Sequence, residues 1–242
     1  MKPSALLLSL SLLLCLLLAP AFGQKVGETV TTNLEGYADS AKGAELHERV
    51  NDLATLVRAK KLAEAQQLAA ELRKQFEADF DPTLRQYTFQ SKQEYLDFKS
   101  SSQDPFEWID WGYQQCLQIQ AFIASERRDF TLALSLLTAI EGVAPVSANA
   151  ANERGYILNQ LGRPDDAIVA YKRALLLATR YPSQQPFHAT ALRGIGFALI
   201  ELNRLDEAES TFNESLRVDP GNRLALNELA YIRQLRAKAQ PS

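Results

Sequence analysis

Three short stretches of the sequence resemble one another and decide the fold: RDFTLA at residues 128–133, GRPDDA at 162–167 and NRLDEA at 203–208. Each stretch lies between two segments whose apolar residues recur every three or four positions, as in an amphipathic helix. Each ends in alanine. Ala133 and Ala167 are 34 residues apart, and Ala208 follows Ala167 by 41 residues. This spacing predicts repeated helix-turn-helix units.

The spacing and the residue types resemble the tetratricopeptide repeat family, whose unit is a pair of helices with a period of 34 residues. The third copy matches the family pattern best, at Leu192, Ile195, Gly196, Leu199, Ala208, Phe212, Leu216 and Pro220. The second keeps Gly155, Leu158, Ala167, Tyr171, Ala174 and Leu175 but departs from the pattern at Arg154 and Thr179. The first lacks the small glycine. Seven extra residues, 180–186, separate the second copy from the third.

The resemblance implies an all-α fold, a right-handed α-solenoid of about three helix pairs over residues 105–238, with a capping helix at residues 223–238. Residues 44–80 have helical periodicity in two segments and predict an N-terminal helical hairpin, with a degenerate fourth repeat as an interpretation of the same segments. Residues 81–104 form a connector, with a short strand or extended segment within 84–90. A helix is predicted to begin at Asp104, because a capping residue, a proline and Glu107 follow the order of a helix start.

The first 23 residues have the features of a secretory signal peptide. Lys2 precedes an apolar run from Ala5 to Leu18, and the small-residue pattern Ala21-Phe22-Gly23 suits cleavage before Gln24. Lipoprotein processing at Cys15 is disfavoured because Leu14 stands where a small residue is expected. Residues 24–43 are predicted to form a flexible leader. We expect export, to the periplasm or alternatively as a secreted protein, and no membrane-spanning segment in the mature chain.

Composition and charge exclude several classes of function. The chain has 26 Lys+Arg and 29 Asp+Glu, a net charge of −3, so nucleic acid is not an expected partner. After cleavage, Cys116 is the remaining cysteine, and neither His47 nor His188 has a partner at ligand spacing. The sequence therefore predicts no metal, no cofactor and no catalytic residues.

The resemblance implies that the first helix of each repeat lines a concave face that binds a peptide or an extended segment of another protein. Among the residues at the family's groove positions and the corresponding ones of the final helix, the predicted binding residues are Gln118, Phe122, Asn149, Asn152, Tyr156, Asn159, Arg193, Phe197, Asn227 and Tyr231. Amides both donate to and accept from a peptide backbone, and the aromatics can hold apolar side chains. A carboxylate clamp is disfavoured, because Arg193 is the one clear cation of this set.

Each feature also has a purely structural alternative. The amides can be merely solvated, and the aromatics can pack against neighbouring repeats. Trp108 and Trp111 can pack residues 84–99 and the N-terminal hairpin against the start of the repeats, or form an exposed aromatic anchor for a partner.

Three functions follow from the sequence. The leading hypothesis is a non-catalytic adaptor or scaffold in the bacterial envelope that binds another protein or a peptide. The alternative is a self-associating structural component of an envelope complex, and thus a homo-oligomer. The third is an enzyme whose site combines residues 81–104 with the loop at 181–188.

Overall fold

The computed structural model describes residues 41–239, apart from the side chain of the last of them. The predicted signal peptide, residues 24–40 of the predicted leader and residues 240–242 lie outside this range. No helix within the described range is long and apolar enough to cross a membrane. The chain divides into two compact units between Pro145 and Val146, and each unit is described separately.

Unit 1 contains five α-helices and two short strands among its described residues. In chain order these are α1 His47–Arg58, α2 Leu62–Ala78, β1 Arg85–Thr88, α3 Lys92–Ser101, β2 Phe106–Ile109, α4 Gly112–Glu126 and α5 Phe130–Val143, with a 3-10 turn at Ala44–Leu46 before α1. Helices α1 and α2 form a hairpin, and α4 and α5 form a second helix pair.

Unit 2 is entirely helical over its described residues. It contains α6 Ala148–Gln160, α7 Pro164–Arg180, α8 His188–Glu201, α9 Leu205–Val218 and α10 Arg223–Ala239, with a 3-10 helix at Pro182–Phe187 between α7 and α8. Helices α6 and α7 pack together, α7 packs on α8, and α8 packs on α9, so consecutive helices form one continuous stack. The all-α fold of helix pairs predicted from the sequence is confirmed. Strand β1 lies within residues 84–90, where a short strand or extended segment was predicted, and β2 is an addition.

The four helix pairs α1/α2, α4/α5, α6/α7 and α8/α9 share one turn. Its first residue has a positive φ, at Lys60 (58°), Arg128 (59°), Gly162 (69°) and Asn203 (57°). The next residue's amide donates to the carbonyl five residues earlier, at 2.9 Å in all four turns. This is the hydrogen bond with which a left-handed residue closes a helix. The turn at residues 60–65 therefore has the same backbone conformation as the turns of the three copies recognised in the sequence.

Each of these turns is followed by an alanine with no exposed surface. These residues are Ala65, Ala133, Ala167 and Ala208, each five positions after the positive-φ residue. A larger side chain at this position would push the two helices of the pair apart. The closing alanine of the three sequence stretches is therefore a packing residue.

The predicted helix start at Asp104 is wrong. Residues Phe106–Ile109 form β2, which pairs in parallel with β1 and places Tyr87 beside Trp108, and helix α4 begins only at Gly112. The backbone of Lys42 extends this pairing, since its amide donates to the carbonyl of Trp108 at 2.8 Å. The local cap signals around Pro105 are overridden by tertiary packing, because aromatic residues are well suited to a half-buried strand.

An aromatic cluster explains the strand. Phe106 lies 5.3 Å from Tyr87 and 5.6 Å from Phe98, ring centre to ring centre, and Trp108 stacks on Tyr95 at 4.4 Å. A strand directs Phe106 and Trp108 to the same face, whereas a helix would separate residues two positions apart. Trp108 therefore packs within unit 1, as one of the two alternatives from the sequence predicted.

Helix α3 begins as predicted. The hydroxyl of Ser91 accepts a hydrogen bond from the amide of Glu94 at 3.2 Å, and the Glu94 carboxylate accepts from the amide of Gln90 at 2.8 Å. This arrangement is a close variant of a capping box. The helix continues to Ser101, so half of the serine-rich segment 100–103 is helical.

Glycines allow two aromatic rings of unit 2 to lie against neighbouring helices. A Cβ atom at Gly155 would lie 2.7 Å from the Tyr171 ring, and a Cβ atom at Gly194 would also overlap that ring. At Gly196 a Cβ atom would lie 2.7 Å from the Phe212 ring. The rings of Tyr171 and Phe212 therefore fill the space between helices, as predicted from the sequence.

Gly196→Leu should destabilise unit 2 by about 1 to 3 kcal/mol, because the added side chain overlaps the Phe212 ring. The matched control is Gly142→Leu on α5, where nothing lies within 4 Å of an added Cβ atom. Urea unfolding followed by circular dichroism measures both. Equal unfolding midpoints for the two variants would contradict this packing.

Candidate functional site

The predicted binding residues of unit 1 lie on α4. Gln118 and Phe122 are both half-buried. They flank a helix face whose other residues, including Ile119 and Ile123, belong to the core. The two predicted residues are thus partly accessible within this unit.

On α6 the four predicted residues differ in exposure. Asn149 and Asn152 are buried, with 3% and 1% of their surface exposed, whereas Tyr156 and Asn159 are half-buried. The accessible part of this helix face is therefore its C-terminal half.

The inserted segment contacts the N-terminal end of α6. The side-chain carbonyl of Gln184 accepts a hydrogen bond from the amide of Ala148 at 3.0 Å, and the Asn152 amide group donates to the carbonyl of Phe187 at 3.5 Å. The sequence predicted an inserted loop here, but it gave no sign of these contacts. They give Asn152 a structural partner within the unit.

Arg193 on α8 is already paired. Its guanidinium donates to the carboxylate of Asp219 at 3.0 Å and to the hydroxyl of Thr190 at 3.0 Å, and only 11% of its side chain is exposed. Burial lowers the pKa of Arg193, and the nearby Asp219 carboxylate partly offsets this effect. The charge of this arginine is thus largely balanced within the protein.

The remaining predicted residues lie on α8 and α10. The Phe197 ring packs edge-on against Phe212 at 5.3 Å, so it contributes to the interior while staying partly exposed. Asn227 is exposed, and Tyr231 is 36% exposed. The C-terminal helix therefore presents the most accessible of the predicted amides and aromatics.

Glu153 is a buried acidic residue of α6 that the sequence analysis did not single out. It follows Asn149 by four positions and precedes Tyr156 by three, so it shares their helix face. Only 8% of its surface is exposed, and its Oε1 atom has no hydrogen-bond partner in the described part of the chain. Burial raises the pKa of Glu153 to about 8. The helical spacing was the signal that could have revealed it.

Cys116 and His47 have structural surroundings. Cys116 is fully buried, and burial raises the pKa of its thiol to about 12, so it offers no thiolate at neutral pH. The Nδ1 atom of His47 lies 3.2 Å from the carboxylate of Asp110, a hydrogen bond that raises the pKa of His47. Within residues 41–239, no group of three or more His, Cys, Asp or Glu residues could hold a metal ion.

Unit 1 also contains an open cleft of about 670 Å³, lined by parts of β2, α3 and the segment between them. Its two lysines are bonded within the protein. Lys42 donates to the carboxylate of Glu107 at 2.7 Å, and Lys99 donates to the hydroxyl of Tyr95 at 2.7 Å. The Lys42 bond thus connects the segment before α1 to β2, whereas the Lys99 bond lies within α3.

Glu153→Gln should change how the stability of unit 2 depends on pH. The native carboxyl group keeps its proton up to pH about 8, whereas an unfolded glutamate loses it above about 4.5. Wild-type stability therefore falls as the pH rises between these values. The glutamine variant should lack this fall and be more stable at pH 8.5 by roughly 2 to 4 kcal/mol, with little difference at pH 4.5.

Urea unfolding across this pH range measures the effect. The control is Glu214→Gln, which neutralises an exposed carboxylate on α9. The Glu214 variant should keep the wild-type dependence of the unfolding free energy on pH. If the Glu153 variant also kept it, the buried carboxyl group would not be protonated as described.

Comparison with known structures returns several tetratricopeptide repeat domains. The first such domain of human RPAP3 shares 22% identity over 52% of this chain and 93% of its own, with a TM-score of 0.46. The Sgt2 domain of Aspergillus fumigatus shares 15% identity over 53% of this chain and 85% of its own, with a TM-score of 0.47. The MamA protein shares 15% identity over 89% of this chain and 98% of its own, with a TM-score of 0.40.

No curated protein matches the chain. The family model of the tetratricopeptide repeat matches residues 146–220, which span α6 to α9. The matched segment contains the Tyr171 and Phe212 rings with their three glycines, and two of the four shared turns. Residues 146–220 are therefore similar to the tetratricopeptide repeat family.

Proposed function

We propose that this protein is a non-catalytic adaptor or scaffold of the bacterial envelope, and that it binds another protein or a peptide through the first helices of its repeats. The observation that carries the proposal is the set of accessible amides and aromatics on these helices. Repeated helix pairs commonly serve as extended binding surfaces for other proteins.

The accessible residues have the chemistry of a peptide-binding surface. Asn159 and Asn227 can bond a peptide backbone, which both donates and accepts hydrogen bonds. Tyr156 and Tyr231 offer rings for apolar side chains and hydroxyl groups for polar ones. The buried Asn149 and Asn152 support the helix, while these four residues make the first contacts with the partner.

The envelope location rests on the N-terminal sequence. Lys2, the apolar run of residues 5–18 and the small residues before Gln24 have the order of a removable export signal. We place the mature protein in the periplasm, with secretion as the alternative destination.

Photocrosslinking in cells tests the proposal. A photoreactive phenylalanine is placed at Tyr156, at Tyr231 or, for comparison, at Val169, which is 70% exposed on the second helix of its repeat. The protein is expressed with its own predicted signal peptide, and the envelope fraction is analysed. We expect the same partner protein to be captured from positions 156 and 231 but not from 169.

Two results would contradict the proposal. Equal capture of that partner from all three positions would remove the assignment to the first helices. Adducts found only in the cytoplasmic fraction would remove the envelope location.

The alternative, a self-associating envelope component, is favoured by one surface of α7. Val169 and Leu176 are 70% and 66% exposed, and their spacing of seven positions puts them on the same helix face. Two copies of the chain could bury these residues against each other. In the crosslinking experiment, self-association would give an adduct of two chains from position 169.

Sedimentation of the wild type and of Val169→Asp/Leu176→Asp separates the two functions. The adaptor proposal predicts that both proteins are monomers at micromolar concentration. A wild-type dimer that the double substitution dissociates would instead establish the alternative, because two buried aspartates oppose an apolar interface.

A further inference from the structure

The side chains of one face of α6 form a polar surface. Asn149, Asn152, Glu153, Tyr156 and Asn159 lie within about a third of the helix circumference, since each residue advances about 100° around the axis. We call these five residues the polar face of α6. Three of them, Asn149, Asn152 and Glu153, are at least nine-tenths buried.

Three acceptor oxygens of this face have no donor. They are Oδ1 of Asn152, Oε1 of Glu153 and Oδ1 of Asn159, which have no hydrogen-bond partner within residues 41–239. Buried acceptors without donors are uncommon in folded proteins and call for an explanation, of which a missing bound group is one. Their grouping on one helix face indicates a shared cause.

Three donor groups of α6 and α8 are already engaged. The Asn152 amide group bonds the carbonyl of Phe187, and the Asn159 side chain bonds the hydroxyl of Tyr171. On α8, Arg193 is paired with Asp219. None of these three groups donates to Oε1 of Glu153, so a bound partner can supply that donor.

The charge of Glu153 and its depth below the surface together specify the chemistry of the missing donor. Burial keeps Glu153 protonated in the free protein up to pH about 8, whereas Arg193 and Asp219 balance each other. A cation bound at the Glu153 carboxyl group displaces its proton and pairs with the resulting carboxylate. Asn152 and Glu153 are buried, whereas Tyr156 and Asn159 at the rim are partly exposed. A lysine or arginine side chain has a long apolar stem and a charged head, which suits a deep acceptor beneath such a rim.

We propose that the polar face of α6 recognises an extended partner segment through one lysine or arginine side chain, whose charged group bonds Glu153 and the adjacent Asn152. Asn159 lies about 10 Å further along the helix axis, because seven residues separate it from Asn152. At that distance it accepts from the partner's backbone rather than from the same cation. This inference rests on the proposed function, since it specifies the partner of the same surface.

A random peptide library displayed on phage tests the inference. The purified protein and its Glu153→Gln variant are each used to select binders. We expect the wild type to enrich peptides that carry lysine or arginine at one fixed position, and the variant to lose this preference while still enriching peptides. The glutamine keeps the size of the side chain and removes its charge.

A double-mutant cycle on one enriched peptide then measures the contact. Replacing its basic residue by norleucine should weaken wild-type binding at least tenfold but weaken binding to the Glu153→Gln variant less than twofold. A direct contact produces this coupling. A purely structural role of Glu153 would instead make the Glu153→Gln variant bind both peptides more weakly by the same factor.

The failures of the two proposals are distinguishable. If the wild type enriches no peptide, the proposed function itself is contradicted. If it enriches peptides with no basic position, or if the norleucine effect is the same in both proteins, the lysine or arginine contact is overturned while peptide binding stands.

Discussion

The contact of the Tyr171 ring with Gly155 and Gly194 is the constraint on which the rest of unit 2 depends. A Cβ atom at either glycine would overlap the ring, so only glycine permits α6 and α8 to lie this close to it. The ring brings the tyrosine hydroxyl to Asn159, which belongs to the polar face of α6. Helix packing and the arrangement of the candidate site therefore have one origin. The same relation between a glycine and a ring recurs at Gly196 and Phe212.

The same helix packing accompanies the burial of an ionisable residue, Glu153, on α6. Close helix approach removes Glu153 from water, and burial alone raises the pKa of its carboxyl group. The cost of this burial is consistent with a surface that is completed by a partner, since binding sites often retain polar groups that are not satisfied within the free protein. In unit 1, by contrast, the aromatic cluster around Phe106 and Trp108 serves mainly to fix the strands.

The repeats could be predicted from the sequence because their determinants are local and recur. The turns at Arg128, Gly162 and Asn203, each with an alanine five positions later, form a pattern that the amino-acid sequence displays by itself. The strand β2 could not be predicted in this way. Its local sequence around Asp104 has good helix-start signals, and only contacts with Tyr87, Tyr95 and Phe98, distant in the sequence, override them.

The sequence predicts which helices carry the residues of the candidate site, but it does not predict which of these residues are accessible. Helical spacing places Tyr156 and Asn159 on a first helix and Tyr231 on the C-terminal helix, yet it does not indicate which residues of these helices are buried. Asn152 is held by the inserted segment through Phe187, a contact between residues 35 positions apart. Glu153 was missed because the family pattern directs attention to other positions of the same helix, although its spacing places it on the polar face.

Amide hydrogen exchange of the purified protein, with and without the partner captured by crosslinking, tests the central claim most directly. Binding through the first helices and the C-terminal helix predicts slower amide exchange in α6, α8 and α10. The amide exchange rates of α7 and α9 should stay unchanged. Protection confined to α7 and α9, or to unit 1 alone, would contradict the assignment of the binding surface to the first helices of unit 2.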